Sequence, residues 1–136
     1  MSSAVFDTRP YVPGPADDPL VYSSWLRQIR GVPQLDLAHH RTVVARLLER
    51  HGATIACNPA DPTHIYGYAC CGAPSTLHFV YVRNTFRCYG IGSALLHQLL
   101  PGFREQVTYH THQTRAVRHL KDKWMLRFDP YRVMTA

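Results

Sequence analysis

The sequence predicts an α/β (α+β) chain, a mixed sheet with helices on both of its faces. Three observations carry that reading. Thr76 to Pro101 reads as a buried strand, a basic glycine-bearing turn and a helix that halts at Pro101-Gly102. Around it the apolar periodicity runs strand, two helices, three strands, helix, strand, helix, strand. The length, 136 residues of which 46% are apolar, suits one core and a single domain over residues 1–136.

Taken in order, Val5 to Val12 reads as the first strand, closed by Pro13-Gly14-Pro15, which no helix crosses. Asp17 and Asp18 stand before PLVYSSWLRQIR, where an aspartate ahead of a proline marks a helix start and Leu20, Trp25, Leu26 and Ile29 form the apolar stripe. Asp36 caps the second helix, LAHHRTVVARLLERHG, with Leu37, His40, Val44, Leu47 and Leu48 on one face and Gly52 at its C-terminal cap. ATIAC and HIYGYACC follow as strands, paired as a hairpin across a longer loop containing Asn58-Pro59 and ADPT. In the central strand Leu77, Phe79 and Tyr81 alternate with His78, Val80 and Val82. After the third helix, QVTYHTH is the fifth strand, with Val107, Tyr109 and Thr111 on one side and Thr108, His110 and His112 on the other. A fourth helix over Thr114 to Trp124 turns Ala116, Val117, Leu120 and Trp124 inward, and MLRFDPYRVM is a last strand, at an edge because Pro130 interrupts it.

Composition narrows the classes of function. No stretch approaches the ~20 apolar residues of a membrane span, so a soluble chain without a membrane partner is expected. The N-terminus lacks the basic start and apolar core of a secretory signal. Cys57, Cys70, Cys71 and Cys88 have neither disulfide-framework density nor zinc-site spacing, and reduced cytoplasmic thiols are the expectation. The net charge of +6, with nine histidines besides, comes from basic residues dispersed along the chain and not massed in a tail. That balance fits an anionic cofactor or a nucleic-acid surface.

The turn after the central strand carries the chemistry. Arg87, Gly90 and Gly92 form R-x-x-G-x-G, and helical spacing begins at once with Ile91, Leu95, Leu96 and Leu99. Glycines let backbone approach a ligand, and a helix start offers N–H groups and positive potential, which suits a pyrophosphate. With Val82 ahead of it, the stretch resembles the coenzyme A-binding motif of the GCN5-related N-acetyltransferase (GNAT) family, V-x-P-x-x-R-x-x-G-x-G. Val82, Arg87, Gly90 and Gly92 match, and Asn84 replaces the proline. The order of glycines differs from the dinucleotide fingerprint G-x-G-x-x-G.

The resemblance implies a sheet splayed between its fourth and fifth strands, with acetyl-CoA or another acyl-CoA entering the split as cosubstrate. It implies backbone donors for the acyl carbonyl on Val80, Tyr81 and Val82, and a pyrophosphate site on Arg87, Cys88, Tyr89, Gly90, Ile91 and Gly92, with Arg83 as a further phosphate contact. The reaction it implies is an acyl-CoA-dependent N-acyltransferase, moving acetyl or a related acyl group to a primary amine by direct attack. Such chemistry needs a proton acceptor for the amine, donors for the oxyanion and a proton for the departing thiolate.

Family members often place a glutamate on the fourth strand, and here His78 is the candidate base, or a hydrogen-bonded strand residue. The family's helix-four tyrosine is missing, which leaves Tyr109, His112, Tyr131 or solvent as the acid. The spacing H-x-H at His110 and His112 lacks a third ligand, and no metal is expected. Tyr22, Ser24 and Trp25 are candidates for the acceptor wall, by stacking and hydrogen bonding, with Trp25 as core the competing reading. The Y-S-S-W-L run and T-H-x-T after the fifth strand resemble small GNAT-like proteins of bacteriophages, which would put the protein in a host cytoplasm. Two other readings follow. The acceptor is a nucleic-acid base instead of a small-molecule or protein amine, as in phage DNA modification, or the fold is a catalytically degenerate CoA-binding or interaction module. The oligomer is open between monomer and homodimer.

Overall fold

The computed structural model describes residues 5–29, 37–72, 75–87, 89–102, 107–112, 114, 117, 125–129 and 132–135. The elements run β1 (Asp7–Pro10), α1 (Asp18–Ile29), α2 (Leu37–His51), β2 (Thr54–Asn58), β3 (Asp61–Gly72) and β4 (Thr76–Val82). A 3₁₀ turn (Asn84–Phe86), α3 (Ile91–Leu99), β5 (Thr108–His110), β6 (Leu126–Phe128) and a short α4 (Arg132–Thr135) complete them. The sheet order is β1-β2-β3-β4-β5-β6, antiparallel through β4 and parallel from β4 to β6. A parallel step cannot be closed by a tight turn, so α3 carries the chain from β4 back to the start of β5.

Each face of the sheet has its own core. Val21 and Trp25 of α1 and Val44, Leu47 and Leu48 of α2 pack on Ile55, Tyr68, Cys70 and Phe79. On the other face Ile91, Leu95 and Leu96 of α3 pack on Ala56, Ala69, Leu77 and Val80. Burial on both sides explains why the middle strands read as continuous apolar runs. Asp17, nearly fully buried, is held by a bidentate pair with Arg9 at 2.7 and 2.8 Å and by the Val12 N–H, which fastens β1 to the start of α1.

Several sequence expectations change. The β2–β3 connection is a tight one, with Asn58 paired to Asp61, because the Asn58 side chain accepts the Ala60 N–H and Asp61 accepts that of Thr63. The strict alternation in β4 fails at His78. Cys70 pairs with Phe79 and the next residue, Cys71, with Leu77, so His78 is the extra residue of a β-bulge. Phe79 and Tyr81 therefore join the α1/α2 core while Leu77, Val80 and Val82 face α3. The last strand is short, and Arg132–Thr135 is helical instead of extended. The helix expected over Thr114 to Trp124 lies outside the described residues apart from Thr114 and Val117, and both of these are buried.

Candidate functional site

The sheet opens where the bulge lies. β4 pairs with β3 along its whole length, from Thr76 to Val82, but with β5 only at Thr76 and Leu77. From His78 onward the β5-side edge of β4 has no strand partner among the described residues. The register tells which backbone groups it presents. Arg83 donates its N–H to the Tyr66 carbonyl at 2.8 Å, and bonded pairs alternate along an antiparallel ladder. Val82–Gly67 and Val80–Ala69 are thus the non-bonded pairs, whose groups turn away from β3. Gly67 fits this: a Cβ there would lie 3.0 Å from the Val82 Cα, the close approach of a non-bonded pair. The N–H groups of Val80 and Val82 point into the split.

The mouth of the split is the basic turn. Gly90 is the N-cap of α3 with φ 75° and ψ 15°, a left-handed conformation that favours glycine, and no side chain caps the helix. A Cβ at Gly90 would meet nothing within 4 Å, and one at Gly92 would touch only Val82 at 3.6 Å. The first turn of α3 therefore presents open amides with the positive end of the helix behind them, beside the end of β4. Arg87 is exposed and folds back, donating through Nε to the Val82 carbonyl at 2.9 Å and through Nη1 to the Asn84 side chain at 3.3 Å. Asn84 thus does something the motif's proline could not: its side chain fixes the arginine. The rest of the guanidinium remains for an anion. Arg83 donates to the Ile65 carbonyl at 3.3 Å, Tyr89 is exposed beside Gly90, and Cys88 lies outside the described residues. Tyr81 faces the α1/α2 core.

The apex of the split is built from histidine and threonine. His78 Nδ1 lies 3.0 Å from Thr111 Oγ1, which lies 3.0 Å from His112 Nδ1, and that same nitrogen is 3.1 Å from the His78 carbonyl. A carbonyl only accepts, so His112 carries its proton on Nδ1. With Thr111 Oγ1 accepting from His112, its own hydrogen is free to be donated to His78 Nδ1, an arrangement that leaves the His78 proton on Nε2. His78 Nε2 is buried and has no partner among the described residues. Burial first, then the neighbouring His51 and His112, pushes the His78 imidazole down to about 3. Burial also pushes His112 down to about 4, although its bond to the His78 carbonyl opposes this. Both rings are neutral near pH 7.

The other candidates are more dispersed. Tyr109 is level with Thr76 at the closed end of the split, its ring covered by the Arg132 guanidinium at 3.6 Å. Tyr131 lies outside the described residues. Trp25 is fully buried, stacked on Phe79 at 5.0 Å and edge-on to His112 at 5.9 Å, so it supports the apex from below and offers no surface face. Ser24 is buried too, 2.7 Å from the Tyr68 hydroxyl. Tyr22 is half-buried under Arg41, 4.6 Å from its ring centroid. The rings of His110 and His112 diverge: β5 ends at His110, whose ring packs on Phe128 and donates through Nδ1 to the His112 carbonyl at 3.2 Å, while the His112 ring turns to Trp25. Among the described residues no group of three or more His, Cys, Asp or Glu is arranged to hold a metal ion. Nor is any described helix long and apolar enough to cross a membrane. Sequence reasoning missed Thr111, and nothing short of the bulge could have shown that it joins the two histidines.

No protein-family model matches the chain, and no curated protein matches it in sequence. Solved structures do. A GCN5-related N-acetyltransferase from Rhodopseudomonas palustris superposes with a TM-score of 0.52 at 18% identity, over 73% of this chain and 66% of that one. The chain has the GNAT fold. It spans slightly under two thirds of that structure's length. A ribosomal-protein-alanine N-acetyltransferase from Brucella melitensis also matches, with a TM-score of 0.46 at 14% identity over 97% of this chain and 87% of that one. The apo form of YjaB from Escherichia coli gives 0.49 at 13% over 71% and 65%. Within the GNAT fold, the parallel β4-β5 pair that parts after Leu77 is the feature that frames the site.

Proposed function

We propose that the protein is an acyl-CoA-dependent N-acyltransferase of the GNAT kind, transferring acetyl or a related acyl group to a primary amine by direct attack. The observation that carries this reading is a coincidence of place. The N–H groups of Val80 and Val82, which have no strand partner among the described residues, and the start of α3 at Gly90 border one opening, with Arg87 at its rim. The residues fit the cosubstrate: Ile91, Gly92 and Arg87 would hold a diphosphate, and Val80 and Val82 would hold amide and thioester carbonyls. When bound, acyl-CoA supplies the activated acyl group. The chain's part is to orient the carbonyl through fixed backbone dipoles, which need no rearrangement as negative charge develops, and to exclude water by the two apolar cores. The proton of the amine falls to the apex, where His112 presents an Nε2 lone pair.

Two measurements test this. Acetyl-CoA at a hundred times its dissociation constant should stabilise the fold by about 2.7 kcal/mol and raise the melting temperature. Thiol release from acetyl-CoA in the presence of a panel of amines should be saturable and lost in Gly90→Glu. Binding without thiol release would leave a CoA-binding module instead of an enzyme. A second reading takes a nucleic-acid base as the acceptor, favoured by the net charge of +6 and by Arg41, Arg46 and Arg50 exposed along α2. Binding to single-stranded or duplex DNA that weakens steeply with salt supports it, and no binding at low salt removes it.

A further inference from the structure

We propose that Thr111 and His78 relay the amine's proton from His112 at the open split to the His51 side of the sheet. The inference rests on the acyl-transfer reading and adds to it a route and two residues. It begins from a buried polar chain with no evident structural purpose. His78 is 1% exposed and Thr111 4%, yet the bulge at His78 brings both rings into contact with one hydroxyl, at 3.0 Å on each side. The bulge sets His78 and Phe79, neighbours in sequence, on the one face that α1 and α2 cover, where His78 meets His51.

With the Thr111 hydroxyl turned to His78, the chain has a direction. His112 has its hydrogen on Nδ1 and its lone pair on Nε2, and it is half-buried at the apex of the split. His40 of α2, His110 at the end of β5, His78 of β4 and Trp25 of α1 surround it. Removing a proton from the acceptor breaks an N–H bond and forms His112 Nε2–H. His112 Nδ1–H is then given to Thr111 Oγ1, the Thr111 hydroxyl hydrogen passes to His78 Nδ1, and His78 Nε2–H is released. Each group gains one proton and loses one, and the rings finish as opposite tautomers. The exit is marked by Gly72: a Cβ there would lie 2.9 Å from His78 Nε2 and 3.0 Å from His51 Cε1, so its absence lets the two rings stack at 5.0 Å. His51 Nε2 lies 3.2 Å from that same point, so it takes the His78 proton when the two rings turn out of their stack, and the half-buried His51 ring, at the end of α2, gives up its other proton from Nδ1 to solvent. The His78 Nε2–H, buried and with no partner among the described residues, is the donor such a route requires.

Thr111 and His78 are positioning and relay residues, since neither touches substrate. The first test needs no substrate: ¹⁵N spectra of the histidine-labelled full chain should show His112 protonated on Nδ1 and His78 on Nε2, and the reverse tautomers overturn the relay. The second compares Thr111→Val, which keeps the buried volume but removes the hydroxyl, with Thr111→Ser, which keeps it. Thiol release is followed with acetyl-CoA and n-butylamine, a lysine peptide, aniline and adenosine as probe acceptors. Thr111→Val should lose about a hundredfold in kcat with KM for acetyl-CoA unchanged, and Thr111→Ser should recover most of it. A wild-type kcat in Thr111→Val overturns the relay and leaves the transferase reading standing. No turnover of any probe by the wild type, with the tautomers as assigned, overturns the transferase reading and the relay's use with it.

Discussion

Acidification is the perturbation whose effect on stability can be worked furthest from the structure. His78 and His112 are held near 3 and near 4, against 6.5 for an ordinary imidazole, so between those values the unfolded chain binds protons that the folded chain refuses. Stability is then fully present above about pH 6.5 and is lost as pH falls toward the folded values. Integrating the proton difference from pH 7 to pH 5 gives about 2 kcal/mol for each ring, at most about 4 kcal/mol for the pair. With a urea slope of about 2 kcal/mol per molar, the midpoint should fall by about 2 M across that interval. Urea denaturation followed by circular dichroism at pH 7, 6 and 5 measures it. His78→Gln and His112→Gln should each flatten the dependence by about half. Variants that keep the full slope would refute the premise that these rings are desolvated and neutral.

Three glycines give sharper expectations. Gly90→Ala forces a Cβ into a left-handed conformation and should cost about 1–2 kcal/mol by urea denaturation, with the start of α3 affected first. Gly92→Ala meets only an ordinary 3.6 Å contact with Val82, so its melting temperature should stay near wild type, whereas Gly92→Glu should fold and lose the acetyl-CoA shift. Gly72→Ala would press on both His78 and His51, costing about 1–3 kcal/mol and displacing the stacked pair in the histidine NMR spectrum.

What could be read from the chain follows from how local each signal is. Helix and strand identities through Leu99 rest on periodicity and on punctuation such as Gly52 and Pro101-Gly102, which act within a few residues, and the structure has them. The glycine-bearing turn into α3 was legible because Arg87, Gly90 and Gly92 stand close together in sequence. The bulge was not, because its cause is the register of Cys71 against Leu77, a property of two strands. One extra residue set His78 beside Phe79 on the α1/α2 face, where Thr111 is its partner, while the H-x-H spacing lost its meaning because β5 ends at His110. Trp25 illustrates the same limit: an aromatic on a short amphipathic helix reads alike as wall or core, and only its stacking on Phe79 decides its position.

The most direct test is a backbone amide titration, following ¹H–¹⁵N resonances of the full chain as acetyl-CoA is added. Saturable shifts concentrated at Val80, Val82, Ile91 and Gly92 are the expected result, absent in Gly92→Glu. Shifts confined to other surfaces, or none at millimolar acetyl-CoA, would contradict the claim that the open edge of β4 and the start of α3 together receive the cosubstrate.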